Sequence, residues 1–179
     1  MKTYQRKARQ FGYQLAIPDD WSASSIVDAL APLLDRTRRL RGRSRKMSDE
    51  RTLLGPQGRF LHILATPLPD AAPAPTIDDT RAFFDGLARR QGLKLLAWGL
   101  IPAAGAEHFW AIYVAPAERD KPVIRIYKKY CLYVRQVEYL LTAELYALPE
   151  DARLPARQEL DDRARAYDDI VRSFSPLGG

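Results

Sequence analysis

The sequence predicts a largely antiparallel α+β fold in which helices pack against a sheet. Three observations carry this. Apolar runs occur in pairs around short turn-forming segments, only two stretches have a clear helical period, and strands and helices do not alternate regularly. A tight turn joins antiparallel strands, whereas a parallel sheet needs a long crossover between each pair.

Phe11, Tyr13, Leu15 and Ile17 alternate on one face of a strand that Pro18-Asp19-Asp20 stops before Trp21. Ser24 is placed to cap a short helix carrying Ile26, Val27, Leu30 and Leu33, with Pro32 near its end. Residues 35–50 are basic and poor in large apolar groups, which predicts an exposed, mobile loop. Arg51 to Leu54 and Arg59 to Thr66 flank Gly55-Pro56-Gln57-Gly58 and predict a hairpin. Pro67, Pro69, Pro73 and Pro75 then predict an extended connection.

The first helix is expected at 76–91. Thr76 can cap it, Asp78 and Asp79 suit its positive end, and Gly92 can adopt the left-handed conformation that closes it. Phe83, Phe84, Leu87 and Ala88 make its apolar stripe. A second hairpin follows, Leu93 to Ile101 with Glu107 to Val114, turning at Pro102 to Gly105. A third pairs Pro122 to Val134 with Glu138 to Ala147 across Arg135-Gln136. Last, Leu160, Ala164, Tyr167, Val171 and Phe174 form one seam of a helix at about 156–174.

Bulk properties agree. The 179 residues suit one domain spanning 1–179, and 46% hydrophobic with 28% charged residues is ordinary for a globular chain. Cys131 is the single cysteine, so no intrachain disulfide forms. Met1 to Gln10 lead into no apolar signal region, and the least polar stretch, Leu95 to Ala106, is too short and broken to cross a bilayer. A cytoplasmic protein is expected. The net charge of +6 traces to Arg36, Arg38, Arg39, Arg41, Arg43, Arg45 and Lys46, a segment without an acid.

Phe11-Gly12-Tyr13 with Ile17-Pro18-Asp19-Asp20-Trp21 resembles the opening of the PsbP/DcrB-like family. Leu148-Pro149-Glu150-Asp151, leading to Asp168-Asp169-Ile170-Val171-Arg172-Ser173-Phe174, resembles its closing helix. The resemblance covers most of the chain and implies an antiparallel sheet sandwiched by helices. It also implies a fold used for binding, as in photosystem II extrinsic subunits, Ran-binding import factors and adaptor-chaperones of type VI secretion effectors. It brings no catalytic residues. The 36–46 segment departs from it as an insertion.

The chemistry-bearing residues are sparse. One cysteine and two histidines 46 positions apart make no metal-binding spacing, Gly55 to Gly58 lacks a P-loop's lysine, and no serine sits in a nucleophile elbow. No metal or cofactor is expected. His62 lies within a strand and reads as packed and hydrogen-bonded. Glu107 and His108 are adjacent, so strand alternation sends them to opposite faces and works against a shared acid–base role. Cys131 reads as a small core residue. Asp161, Asp162, Asp168 and Asp169 alternate with arginines and read as a solvated helix face.

Elimination and resemblance together predict a non-enzymatic adaptor that holds an apolar segment of another protein, with homo-oligomerisation as a further option. The candidate contacts are Trp98, Trp110, Tyr127, Lys129 and Tyr133. Along their strand Tyr127, Lys129, Cys131 and Tyr133 share one face; Lys128, Tyr130 and Leu132 share the other. The alternative is nucleic-acid binding through the seven basic residues of 36–46, although that segment lacks aromatic stacking groups.

Overall fold

The computed structural model describes residues 1–8, 11–24, 49–69, 73–117 and 122–177. Ten strands and two α-helices occur among them. In chain order they are β1 (Lys2–Lys7), β2 (Gly12–Ile17), β3 (Ser22–Ser24), β4 (Asp49–Leu54), β5 (Phe60–Pro67), α1 (Ile77–Gln91), β6 (Lys94–Ala103), β7 (Ala106–Ala115), β8 (Val123–Val134), β9 (Val137–Pro149), α2 (Arg157–Arg172) and β10 (Ser175–Pro176).

Seven strands form one sheet in the order β3-β4-β5-β9-β8-β7-β6, and every neighbouring pair is antiparallel. The remaining three make a small antiparallel sheet, β1-β2-β10. On one face of the large sheet, α1 packs Phe84, Leu87 and Ala88 against Phe109, Ala111 and Tyr113 of β7. On the other face, α2 buries Leu160, Ala164, Tyr167 and Val171 together with Tyr13, Leu15 and Ile17 of the small sheet. The sheet is therefore sandwiched, as the family resemblance implies.

Local chemistry explains the element ends. Thr76 Oγ1 accepts the Asp79 N–H at 3.1 Å, and the Asp79 carboxylate accepts the Thr76 N–H at 3.0 Å, a reciprocal cap at the start of α1. Gly92 closes the helix at φ 65°. Helix α2 starts with half of such a cap, the Glu159 carboxylate accepting the Ala156 N–H. Two hairpins turn on two residues with positive φ: Ala104 and Gly105 at 51° and 79°, Arg135 and Gln136 at 48° and 61°. Primed turns of this kind match the right-handed twist of the strands.

Several boundaries differ from the expectation. The turn after β6 is only Ala104-Gly105, so Pro102 and Ala103 continue the strand. Proline is tolerated there because β6 is an edge strand, where a missing N–H costs no ladder bond. β4 already begins at Asp49, inside the stretch expected as loop. β1 was not foreseen: Tyr4 is its one large apolar side chain, and most of the strand is exposed. Ser24 is the last residue of β3. The helix expected after it and the basic segment 36–46 lie outside the described residues.

Close packing ties the layers together. Trp21 is buried edge-on to Tyr167 of α2, ring centroids 5.7 Å apart, and a Cβ at Gly55 would overlap its indole. Arg6 forks onto Asp49 with bonds of 2.9 and 2.7 Å, joining the small sheet to β4.

Candidate functional site: the α1 face and the β6 edge

Strand register places four of the five candidate contacts on the α1 side of the sheet. Trp98 lies opposite Ala111, Ala111 opposite Lys129, Lys129 opposite Thr142, Thr142 opposite His62, and His62 opposite Thr52. This single cross-strand row runs from the β6 edge to β4. Tyr127 and Tyr133 flank it on β8, as the alternation predicts. Trp110 projects to the opposite, α2 side, because its neighbours Phe109 and Ala111 take the α1 side.

Exposure divides the set further. Tyr127, Lys129 and Trp110 are buried, and Tyr133 is half-buried with its hydroxyl donating to Glu138 at 2.9 Å. Trp98 is 42% exposed, and Leu100, two residues along the same face of β6, is 43% exposed. Sequence reasoning did not single out Leu100. The edge position of β6 is what uncovers it, and strand order cannot be read from a local pattern.

Trp98 is held from below and above. Its ring stacks on Phe109 at 6.1 Å with an interplanar angle of 17°, and the Arg81 guanidinium of α1 lies 4.3 Å from the ring centroid.

The polar part of the row is tightly arranged. His62 is buried, with Nδ1 3.3 Å from the Thr52 hydroxyl and Nε2 3.2 Å from Glu50. Glu138 also accepts a weak bond from the Cys131 thiol at 3.6 Å. His62 and Cys131 are thus packed and bonded, in keeping with the sequence reading. His108 is on the α2 side, buried, and 3.0 Å from the Ala103 carbonyl; burial lowers its pKa. Glu107 beside it is exposed. No cluster of three His, Cys, Asp or Glu side chains suited to a metal ion occurs among the described residues.

A buried ion pair lies on the α2 side. Lys128 Nζ lies 2.7 Å from Asp168 and 4.1 Å from the Trp110 ring centroid, and the Tyr130 hydroxyl donates to the same Asp168 oxygen at 2.6 Å. Burial lowers the Lys128 pKa despite the carboxylate. The expectation of a fully solvated acidic face on α2 therefore fails at Asp168. It holds for Asp161, Asp162 and Asp169, which pair at the surface with Arg157, Arg165 and Arg172.

Among the described residues, no helix is long and apolar enough to cross a membrane. No protein-family model matches the sequence, and no curated protein matches it at a significant level. Solved structures do match. Cyanobacterial PsbP (CyanoP) from Synechocystis sp. PCC 6803 superposes with a TM-score of 0.52 at 11% identity, over 98% of this chain and 92% of that one. The Ran-binding protein Mog1p of Saccharomyces cerevisiae gives 0.52 at 8% identity, over 97% and 95%. The architecture is the PsbP-like α+β fold that the two terminal signatures suggested.

Proposed function

We propose that this chain, built on a PsbP-like fold, is a non-catalytic adaptor or chaperone that holds an apolar segment of another protein, with a secretion-system effector as the class of client. One observation carries the proposal: Trp98 and Leu100 stand side by side and exposed on an edge strand. Large apolar groups clustered on a surface mark interaction sites more often than scattered ones do. Trp98 is also braced by Phe109 and Arg81, so its ring is ordered before any partner arrives. Use of the same fold by a protein described as Ran-binding supports a partner that is itself a protein.

The binding surface is accordingly narrower than the five residues named from sequence. It centres on Trp98 with Leu100, since Trp110, Tyr127 and Lys129 are buried.

The test is site-specific photocrosslinking in cells. A photoreactive residue at position 98 or 100 should give a discrete adduct with one protein, and the same group at exposed Asp151 should not. Failure to form an adduct at either position would count against the adaptor role. Binding through 36–46 predicts a different result: a mobility shift of oligonucleotides at low salt that disappears when the seven basic residues are replaced.

A further inference from the structure

We propose that the corner between α1 and β6 recognises an extended acidic-apolar segment, with Arg81 taking a carboxylate of the partner while Trp98 and Leu100 take its apolar neighbour. This rests on the protein-binding role above and adds the chemistry of the partner.

The case begins with how Arg81 is held. Its guanidinium lies 4.3 Å from the Trp98 centroid, and its one ion contact among the described residues is with Asp85, at 4.0 Å. That is beyond hydrogen-bonding distance. Stacking on an aromatic ring uses the face of a guanidinium and leaves its in-plane N–H groups available, in the geometry that receives a carboxylate with two parallel bonds. Arg81 is 46% exposed, so those donors can be reached from solvent.

The surroundings select the rest of the ligand. Leu100 continues the apolar surface from Trp98 along β6. An acidic residue two positions from an apolar one would match this arrangement, since residues two apart in an extended chain project to the same side. A polyanion fits less well, because Asp78 and Asp85 lie on α1 within one turn of Arg81. They would repel a continuous phosphate backbone yet leave room for one carboxylate.

The edge also limits how a partner can lie. The Trp110 indole crosses over Gly99 and donates to the Leu100 carbonyl at 3.1 Å, and Pro102 has no N–H. Two backbone groups of the second half of β6 are thereby unavailable for strand pairing. Continued growth of the sheet is blocked, and recognition falls to the side chains of Arg81, Trp98 and Leu100.

The experiment is a fluorescence titration of the full chain. Trp21 and Trp110 are buried, so a ligand-dependent change in emission reports Trp98. The probes are a short end-blocked peptide in which aspartate and leucine stand two residues apart, its asparagine counterpart, and an oligothymidylate. The aspartate peptide should change the emission, and Arg81→Gln should weaken it about tenfold, as loss of a charge-assisted hydrogen bond implies. Arg81→Lys, which keeps the charge without the fork, should fall between the two, and thermal unfolding establishes that both variants are folded. Equal binding of the asparagine peptide, or an unchanged affinity in Arg81→Gln, would overturn the carboxylate role. Tighter binding of the oligothymidylate through Arg81 and Trp98 would replace it with nucleic-acid recognition. A partner still crosslinked at position 98 in Arg81→Gln would sink this inference alone; loss of crosslinking in the unsubstituted chain would sink the adaptor role beneath it.

Discussion

Lys128 on β8 and Asp168 on α2 meet at 2.7 Å across the helix–sheet interface, with the lysine side chain 3% exposed. Tyr130 donates to the same carboxylate oxygen, so Asp168 compensates two buried groups at once. Asp168→Ala should lower stability by about 3 kcal/mol, because it strands a buried ammonium and a phenol. Lys128→Met should cost less, since Tyr130 still satisfies the carboxylate and the new side chain fills the space. Urea denaturation of the two variants decides it; equal losses would mean that the ammonium is not what the carboxylate holds in place.

Gly99 and Trp110 are coupled by space alone. A Cβ on Gly99 would lie 2.7 Å from the Trp110 ring, inside van der Waals contact. Gly99→Ala should therefore destabilise by about 2 kcal/mol, the usual range for overpacking, as the indole is pushed from its bond to Leu100 and from Lys128. Trp110→Leu in the same background should recover part of the loss. Additive losses in a double-mutant cycle would refute the coupling.

The hairpin between β8 and β9 turns on Arg135 and Gln136, both at positive φ without a glycine. Side chains pay roughly 1–2 kcal/mol per residue in that conformation. Gln136→Gly should raise stability by up to about 1 kcal/mol after the entropy cost of glycine is deducted. Arg135 is best left alone, because its guanidinium donates to the Leu177 carbonyl at 3.2 Å. A lower thermal midpoint for Gln136→Gly would contradict the strain.

Acid should weaken the fold through His108. Burial depresses its pKa in the folded state, below the ordinary imidazole value of about 6.5 that holds in the unfolded chain. Between those two values the unfolded state binds more protons, so stability rises with pH through that window and falls on acidification below about 6.5. His108→Gln, which keeps a donor for the Ala103 carbonyl, should flatten the dependence in that range. Stability curves measured across the window settle the sign, and an identical slope in the variant would acquit His108.

Much of the architecture was legible because its causes are local. Thr76, Asp79 and Gly92 announce the ends of α1 by chemistry contained within one helix. The paired runs around Arg135-Gln136 and Ala104-Gly105 announce hairpins in the same way, although the second turn was read two residues too long. β1 was missed because a strand exposed along most of its length carries little apolar alternation. Asp168 was misassigned to the solvated face for a related reason: its charge pattern matches that of Asp161, Asp162 and Asp169, and its partner lies 40 residues away on another element.

For the site, the alternation of β8 correctly placed Tyr127, Lys129 and Tyr133 on one face, since period two follows from strand geometry. It could not say which of them solvent reaches. Sequence alone determined the α+β class, the hairpins, the two helices and which residues from Tyr127 to Tyr133 share a face of β8. Tertiary structure decided that β6 is an edge, that Trp98 and Leu100 are exposed there, and that Arg81 is stacked on the indole. The physical reason is range. Periodicity, capping and turn conformation act over a few residues, whereas strand order and burial depend on which distant elements the chain brings together.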